Sequence, residues 1–299
     1  MAERVSFYDQ ISRNKRNSIF LMILVLAVLM ALGYIIGKVL GPTYFTVIMI
    51  FSIIISLVYI WAGYYYSDKI ALASVNAKPA DKTHHRQLIN SVESMSLASG
   101  LPMPRVFIME NPQINAFATG RDPRNAVICV TTGALEKLDK QELEGVIAHE
   151  MGHIANLDIR FMTLIAVLVG MVAIISEIFL RSLWFKEGND RDGKATIIFM
   201  IVGIALAILA PIVTSLIQLA VSRKREYTAD ATAVKFTRTP SGLVDALKKI
   251  KSEHTPANKH QINKAVAPLF ISDPFKSKIQ NLFSTHPPIE KRIEILQRM

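Results

Sequence analysis

At 299 residues the chain could form one large domain or two smaller ones, but 51% of its residues are hydrophobic and its mean hydropathy is +0.32, which excludes an ordinary soluble protein. The formal charge of +10, from 34 Lys and Arg against 24 Asp and Glu, does not point to nucleic acid. The basic residues are scattered or flank apolar runs, without the aromatic interleaving of a single-strand binder, and read as membrane-topology signals and attraction to anionic lipid.

Residues 1–66 predict a transmembrane hairpin. Arg4, Arg13, Lys15 and Arg16 precede an uncharged apolar run from about Ile19 to Gly37. That run is long enough to cross a hydrocarbon core of about 30 Å and lacks a small-x-small cleavage site, so it reads as a retained anchor. Lys38 to Pro42 form a turn, and a second run from about Tyr44 to Tyr66 ends in Trp61 and Tyr64-Tyr65-Tyr66, an aromatic belt of the kind found where a span leaves the lipid.

Residues 67–160 turn polar and mixed, as the first part of a folded domain would. Leu88, Ile89, Val92, Met95 and Leu97 recur at helical spacing within Asp81–Ser99, and Gly100-Leu101-Pro102 ends the pattern. Arg105 to Met109, Ile114 to Thr119 and Ala126 to Thr131 read as strands of a small hairpin or sheet, punctuated by Asn111-Pro112 and Gly120-Arg121-Asp122-Pro123. The single cysteine, Cys129, lies in the last of these runs, so no intrachain disulfide can form. Asp139 with Glu142 three residues later predicts a capping box that starts a helix through Leu143, Val146, Ile147, Ile154 and Leu157. On one continuous wheel Glu142, Asn156 and Arg160 share the face of His149 and His153. Gly145 and Gly152 beside that face mark either a close backbone neighbour or tolerated small residues.

Residues 161–220 predict a second hairpin, with spans at Phe161 to Leu180 and about Ala195 to Ala220, the latter kinked by Pro211. Glu177 falls near the far interface with Arg181 one turn on, which reads as an interfacial ion pair. Basic residues lead the first span, follow the second (Lys69, Lys78, Lys82) and follow the fourth (Arg223, Lys224, Arg225). The fold expectation is therefore an α-helical membrane protein with about four transmembrane helices. Both termini, residues 67–160 and residues 221–299 lie on the cytoplasmic side of the inner membrane.

The chemistry is concentrated in His149-Glu150-Met151-Gly152-His153. Imidazoles four residues apart project from nearly the same helix face and can share one metal, with the glutamate between them aimed at its open side as a general base. Zinc hydrolases take three protein ligands, and the strongest candidate for the third is Glu226. Two spans separate His153 from Glu226, so the chain returns to the side it left, and both residues fall about 10 Å above the same interface. Asp230, one helical turn after Glu226, is placed to accept a ring N–H from a ligand histidine; Asn156 and Asp158 are each either a similar support or a helix-end residue. One zinc ion per chain is expected. His84, His85, His254 and His260 read as surface residues.

Together His149-Glu150-x-x-His153, Glu226-x-x-x-Asp230, Asn115-Ala116-Phe117-Ala118-x-Gly120 and Ser284-Thr285-His286-Pro287-Pro288 resemble the HtpX family of heat-shock membrane proteases, zinc endopeptidases related to the CAAX prenyl proteases. The resemblance runs over nearly the whole chain. It implies a cytoplasmic α+β zincin-like (gluzincin) domain split between residues 67–160 and 221–299, and cleavage of misfolded or damaged membrane proteins. The prenyl proteases enclose a chamber with more spans, so prenyl-peptide processing is not carried over. His286 resembles the family's histidine near the metal, where it would stabilise the oxyanion alongside Glu150 as base; read alone it is a turn residue before the last helix. Asn115, Ala116, Phe117 and Ala118 form either an edge strand that pairs with an extended substrate or an ordinary buried strand. A membrane scaffold or transporter with a structural zinc site is the competing reading, but such a site has no use for a base at Glu150.

Overall fold

The computed structural model describes residues 7–166, 203, 223–253, 269–271 and 287–299. Most of the expected second hairpin, with Glu177, Arg181 and Pro211, lies outside the described residues, as does His286.

Two long helices come first, α1 (Phe7–Leu40) and α2 (Pro42–Tyr65). The break between them is Gly41, whose φ of 102° suits only glycine, followed by Pro42 in the first turn of α2. Both contain stretches long and apolar enough to cross a membrane, Asn14–Ala31 and Pro42–Tyr65. Helix α2 exposes Ile50, Phe51, Ile54, Ile55, Leu57 and Val58. The hairpin closes where a side chain at Gly33 would sit 1.9 Å from Ser52 Oγ and one at Gly37 would sit 3.0 Å from the Phe45 ring, a small-xxx-small contact that lets the two backbones approach.

Helix α3 (Ser67–Ser74) leads to a mixed four-stranded sheet in the order β1-β2-β4-β3. Its members are β1 (Lys78–Pro79), β2 (Arg105–Met109), β3 (Ala116–Thr119) and β4 (Val127–Thr131). Strand β1 has no hydrophobic pattern and was not visible in the sequence. The sequence left open a simple hairpin, but β2 runs parallel to β4 in the register Val106 to Ile128, and only β3 pairs antiparallel with it.

The continuous apolar run of β4 has a physical cause, because both faces of the sheet are covered. Ile128 and Val130 point into a core with Leu88, Val92 and Met95 of α4 (Arg86–Ser99), Val146, Ile147 and Met151 of α6 (Lys140–Ala155), and Leu243 and Leu247 of α8 (Ser241–Ser252). Val127 and Cys129 point the other way, into a second core with Leu21 of α1, Leu72 of α3, Phe161 and Ile165. The first of the two long apolar helices is thus packed onto the back of the sheet. Further helices are α5 (Thr132–Lys137), α7 (Arg223–Thr237) and α9 (Ile289–Leu296).

Helix α6 starts where the capping box predicts: Glu142 N–H donates to Asp139 Oδ1 at 2.9 Å and Asp139 N–H to Glu142 Oε2 at 2.8 Å. It does not run on to Arg160. Leu157 adopts φ 56°, the chain bends, and residues 158–166 form a new helix. The bend takes Arg160 off the continuous wheel, whereas Glu142 stays on the unbroken helix with His149 and His153. Glu142 pairs with Lys249 at 2.6 Å, and Arg160 donates to the Arg121 carbonyl at 2.7 Å and stacks over Tyr64.

Candidate metal centre

Four segments meet on the open side of α6. The helix presents His149, Glu150 and His153, α7 presents Glu226 and Asp230, the bend after α6 presents Asp158, and α9 presents Arg292; all are buried. The close approach has a local cause at Gly152, where a Cβ would lie 3.1 Å from the Ala229 carbonyl. A larger side chain there would hold α7 off and pull Glu226 away from the histidines. Gly145 does the same for α8, its Cβ position being 2.4 Å from Leu243 N.

The His149 and His153 rings stand nearly perpendicular, at 87° with centroids 4.8 Å apart. Glu226 bridges them, with His149 Nε2 3.7 Å from Oε2 and His153 Nε2 3.6 Å from Oε1. The three candidate ligand atoms lie within 4.8 Å of one another. A tetrahedral zinc with bonds of about 2.0–2.1 Å separates its ligand atoms by roughly 3.3 Å, so the set needs only a small contraction to hold the ion.

The far side of each ring supports this fit. His149 Nδ1 lies 2.9 Å from Asp230 Oδ1, and His153 Nδ1 lies 2.9 Å from Asp158 Oδ2. A ring that donates from Nδ1 to a carboxylate keeps its lone pair at Nε2, the atom facing the shared centre. The sequence expectation assigned this role to Asp230 and left Asn156 and Asp158 open between ring support and helix end. The structure brings Asp230 and Asp158 to the rings, whereas among the described residues the Asn156 side chain makes no hydrogen bond.

The electrostatics favour a cation. Burial and the neighbouring Arg292 charge hold His149 below the usual histidine range, leaving a neutral imidazole ready to coordinate. Burial also lowers His153, but the Asp158 hydrogen bond and the Glu226, Asp158 and Glu150 charges outweigh it and push the ring up to about 9. The anions that favour a proton there favour a metal in its stead. Glu150 is pushed up to about 7, chiefly by burial. The Ala118 N–H is close enough to favour its charged form, yet neither carboxylate oxygen completes a hydrogen bond among the described residues. A buried carboxylate of that kind, beside a metal-ligating set, is placed to exchange protons with a substrate or water.

Sequence reasoning missed Arg292. Its Nε and Nη2 atoms donate to the two oxygens of Asp230 at 2.9 and 2.7 Å, and Nη1 lies 3.4 Å from Glu226 Oε2. Burial alone would raise Asp230, but Arg292 and His149 outweigh it and hold the carboxyl below its ordinary range. A signal was available. Arg292 shares the buried face of its helix with Ile289 and Leu296, and a lone arginine on an apolar stripe calls for a buried partner.

Strand β3, carrying Ala116, Phe117 and Ala118, is outermost in the sheet, as an edge strand for substrate requires. Its outer side is not bare. Ala116 C=O accepts from Ile271 N–H at 2.9 Å, and Phe117 bridges Phe270 and packs against its ring. A peptide pairing at Ala116 would have to displace that segment. Asn115 turns inward, its N–H donating to Thr131 Oγ1 at 3.0 Å.

The sequence pattern of Peptidase family M48 matches residues 82–299. The chain is 43% identical over 301 residues to a protease HtpX homolog of Caldanaerobacter subterraneus subsp. tengcongensis, covering 98% of each. It is 43% identical over 304 residues to one of Thermoanaerobacter pseudethanolicus, covering 99% of each. Against one of Streptococcus pyogenes the identity is 40% over 299 residues, covering 98% of this chain and 99% of that protein. The crystal structure of S. mikatae Ste24p matches the fold with a TM-score of 0.51 at 21% identity, over 92% of this chain and 63% of the other. The chain thus spans less than two thirds of that protein's length.

Proposed function

The chain belongs to peptidase family M48 and is a metalloprotease, and from that premise we propose a zinc endopeptidase of the cytoplasmic membrane surface that cleaves misfolded or damaged membrane proteins. The observation that carries the zinc assignment is the convergence of His149 Nε2, His153 Nε2 and the Glu226 carboxylate within 4.8 Å, beside the Glu150 carboxyl.

His149, His153 and Glu226 would hold the ion, and Asp230 and Asp158 would fix the two rings. When bound, zinc supplies a Lewis acid that polarises a peptide carbonyl and makes water more acidic. Glu150 takes a proton from the attacking water on a carboxylate oxygen and delivers it to the departing amine. Arg292 holds Asp230 ionised so that the His149 lone pair stays on Nε2. His286 stands, by its family resemblance, as the further donor to the oxyanion.

Membrane substrates are supported by the site's position, one bend away from a helix that begins the expected third span and packed beside α1. A role in stress response and quality control rests on the resemblance to the HtpX family. The distribution of basic residues supports a multi-pass protein with this site on the cytoplasmic side.

The test is bound zinc and casein cleavage, measured together on the purified full chain. Glu150→Ala should retain zinc and lose chelator-sensitive cleavage, whereas Glu226→Ala should lose zinc as well. Undiminished cleavage by Glu150→Ala would falsify the assignment of the base.

A further inference from the structure

We propose that Asn14, in the first membrane helix, is a positioning residue for the metal centre, holding Asp158 so that Asp158 holds His153. The proposal rests on the zinc assignment above. Asn14 lies outside the stretch matched by the family pattern, which begins at residue 82, and its position at the head of an apolar run gave no reason to connect it with the site.

The geometry makes the connection direct. Asn14 is buried, and its Nδ2 donates to Asp158 Oδ1 at 2.6 Å and to the Asn156 carbonyl at 3.1 Å. Both amide hydrogens are therefore spent on the bend that follows α6. The other oxygen of Asp158 faces His153 Nδ1 at 2.9 Å. Asp158 is fully buried, and a dry carboxylate needs a donor on each oxygen. Among the described residues, His153 supplies one and Asn14 the other.

Helix docking does not require this asparagine. Leu21 already packs α1 into the second core with Phe161, Met162 and Ile165, and a polar amide at the head of a membrane span is unfavourable unless its hydrogen bonds are made. Lys15 and Arg16, the next two residues, are exposed. The asparagine is explained by what it bonds. With Asn14 withdrawn, Asp158 keeps one fixed oxygen, the carboxylate can rotate, and His153 loses its fixed ring plane. Metal affinity is thereby tied to the seating of a membrane helix against the protease domain.

The experiment uses the full chain in lipid nanodiscs, with zinc affinity read by competition with a chromophoric chelator and ligand geometry read from the absorption spectrum of the cobalt-substituted protein. Asn14→Ala should weaken zinc binding about tenfold, the lower end of what loss of a ligand-orienting partner costs, and should alter the cobalt spectrum. Asp158→Asn should weaken it at least as much, and Asn14→Ala/Asp158→Asn should be no weaker than Asp158→Asn alone, because the two act in series. Ser18→Ala removes a 2.9 Å hydrogen bond to the Asn14 carbonyl on the same helix without touching the metal side, and should leave zinc affinity unchanged. If Asn14→Ala does not accumulate, Asn14→Ser carries the same test with a smaller loss. Wild-type zinc affinity in the Asn14 variant, multiplication of its effect with that of Asp158→Asn, or an equal loss in Ser18→Ala would each overturn the proposal. A wild-type chain that binds no zinc would overturn the metal assignment beneath it, a separate outcome.

Discussion

Arg292 illustrates how one residue can hold a site together without touching the reacting atoms. Its guanidinium is 1% exposed and faces the carboxylates of Asp230 and Glu226. Burying such charges is costly, and removing one partner leaves the others uncompensated, typically at 3–5 kcal/mol. Arg292→Met should therefore lower the free energy of unfolding by about that amount. Arg292→Lys should recover only part, since a single ammonium cannot reproduce the fork that grips both Asp230 oxygens; denaturant titration of both variants in detergent would decide this. Cys129 makes the opposite case of an inert residue. Burial pushes its thiol well above the usual range, so at pH 8 it stays protonated and out of reach. Native protein should not react with a thiol-specific chromogenic disulfide, and unfolded protein should release the equivalent of its single cysteine.

At the scale of elements, the two glycines of α6 separate propensity from packing. Replacing a helix-interior glycine by alanine gains about 1 kcal/mol of helix propensity, while forcing an atom into a packed contact costs roughly 1–3 kcal/mol. At Gly145 the new Cβ would meet backbone at 2.4 Å, but at Gly152 the nearest atom is 3.1 Å away. Gly145→Ala should thus be destabilising by about 1–2 kcal/mol, and Gly152→Ala should stay within about 1 kcal/mol of wild type. Equal effects in thermal melts would show that these distances do not govern the contact. Gly152→Ala also carries a second readout, because any displacement of α7 moves Glu226 and should appear as weakened zinc retention.

For the whole molecule, a hairpin of two helices long and apolar enough to cross a membrane packs against the sheet, with α1 contributing Leu21 to the second core. The proposed orientation predicts labelling by a membrane-impermeant maleimide in intact bacterial cells carrying Cys129→Ser. Lys38→Cys, at the turn between the first two spans, should be modified from outside, whereas Lys78→Cys, beside the sheet, should be modified only after the membrane is opened. The reverse pattern would move the site to the other side. Much of this protein was legible without coordinates because its determinants are local. The clustered histidines follow from the period of a helix, the capping box from a three-residue spacing, the two long apolar helices from run length, and the strands β2 and β4 from their apolar blocks. Even Glu226 was reachable, since the two apolar runs read between it and His153 predict a return of the chain to the same side. What the tertiary structure alone decided is which groups complete those local signals: that Asp158 and not Asn156 stands behind His153, that Arg292 meets an aspartate 62 positions away, and that Asn14 meets one 144 positions away. Backbone geometry fixes neighbours within a few residues, so their pattern is written in the sequence. A buried hydrogen bond between residues 62 or 144 positions apart depends on how the intervening elements pack, and no short stretch of sequence carries it.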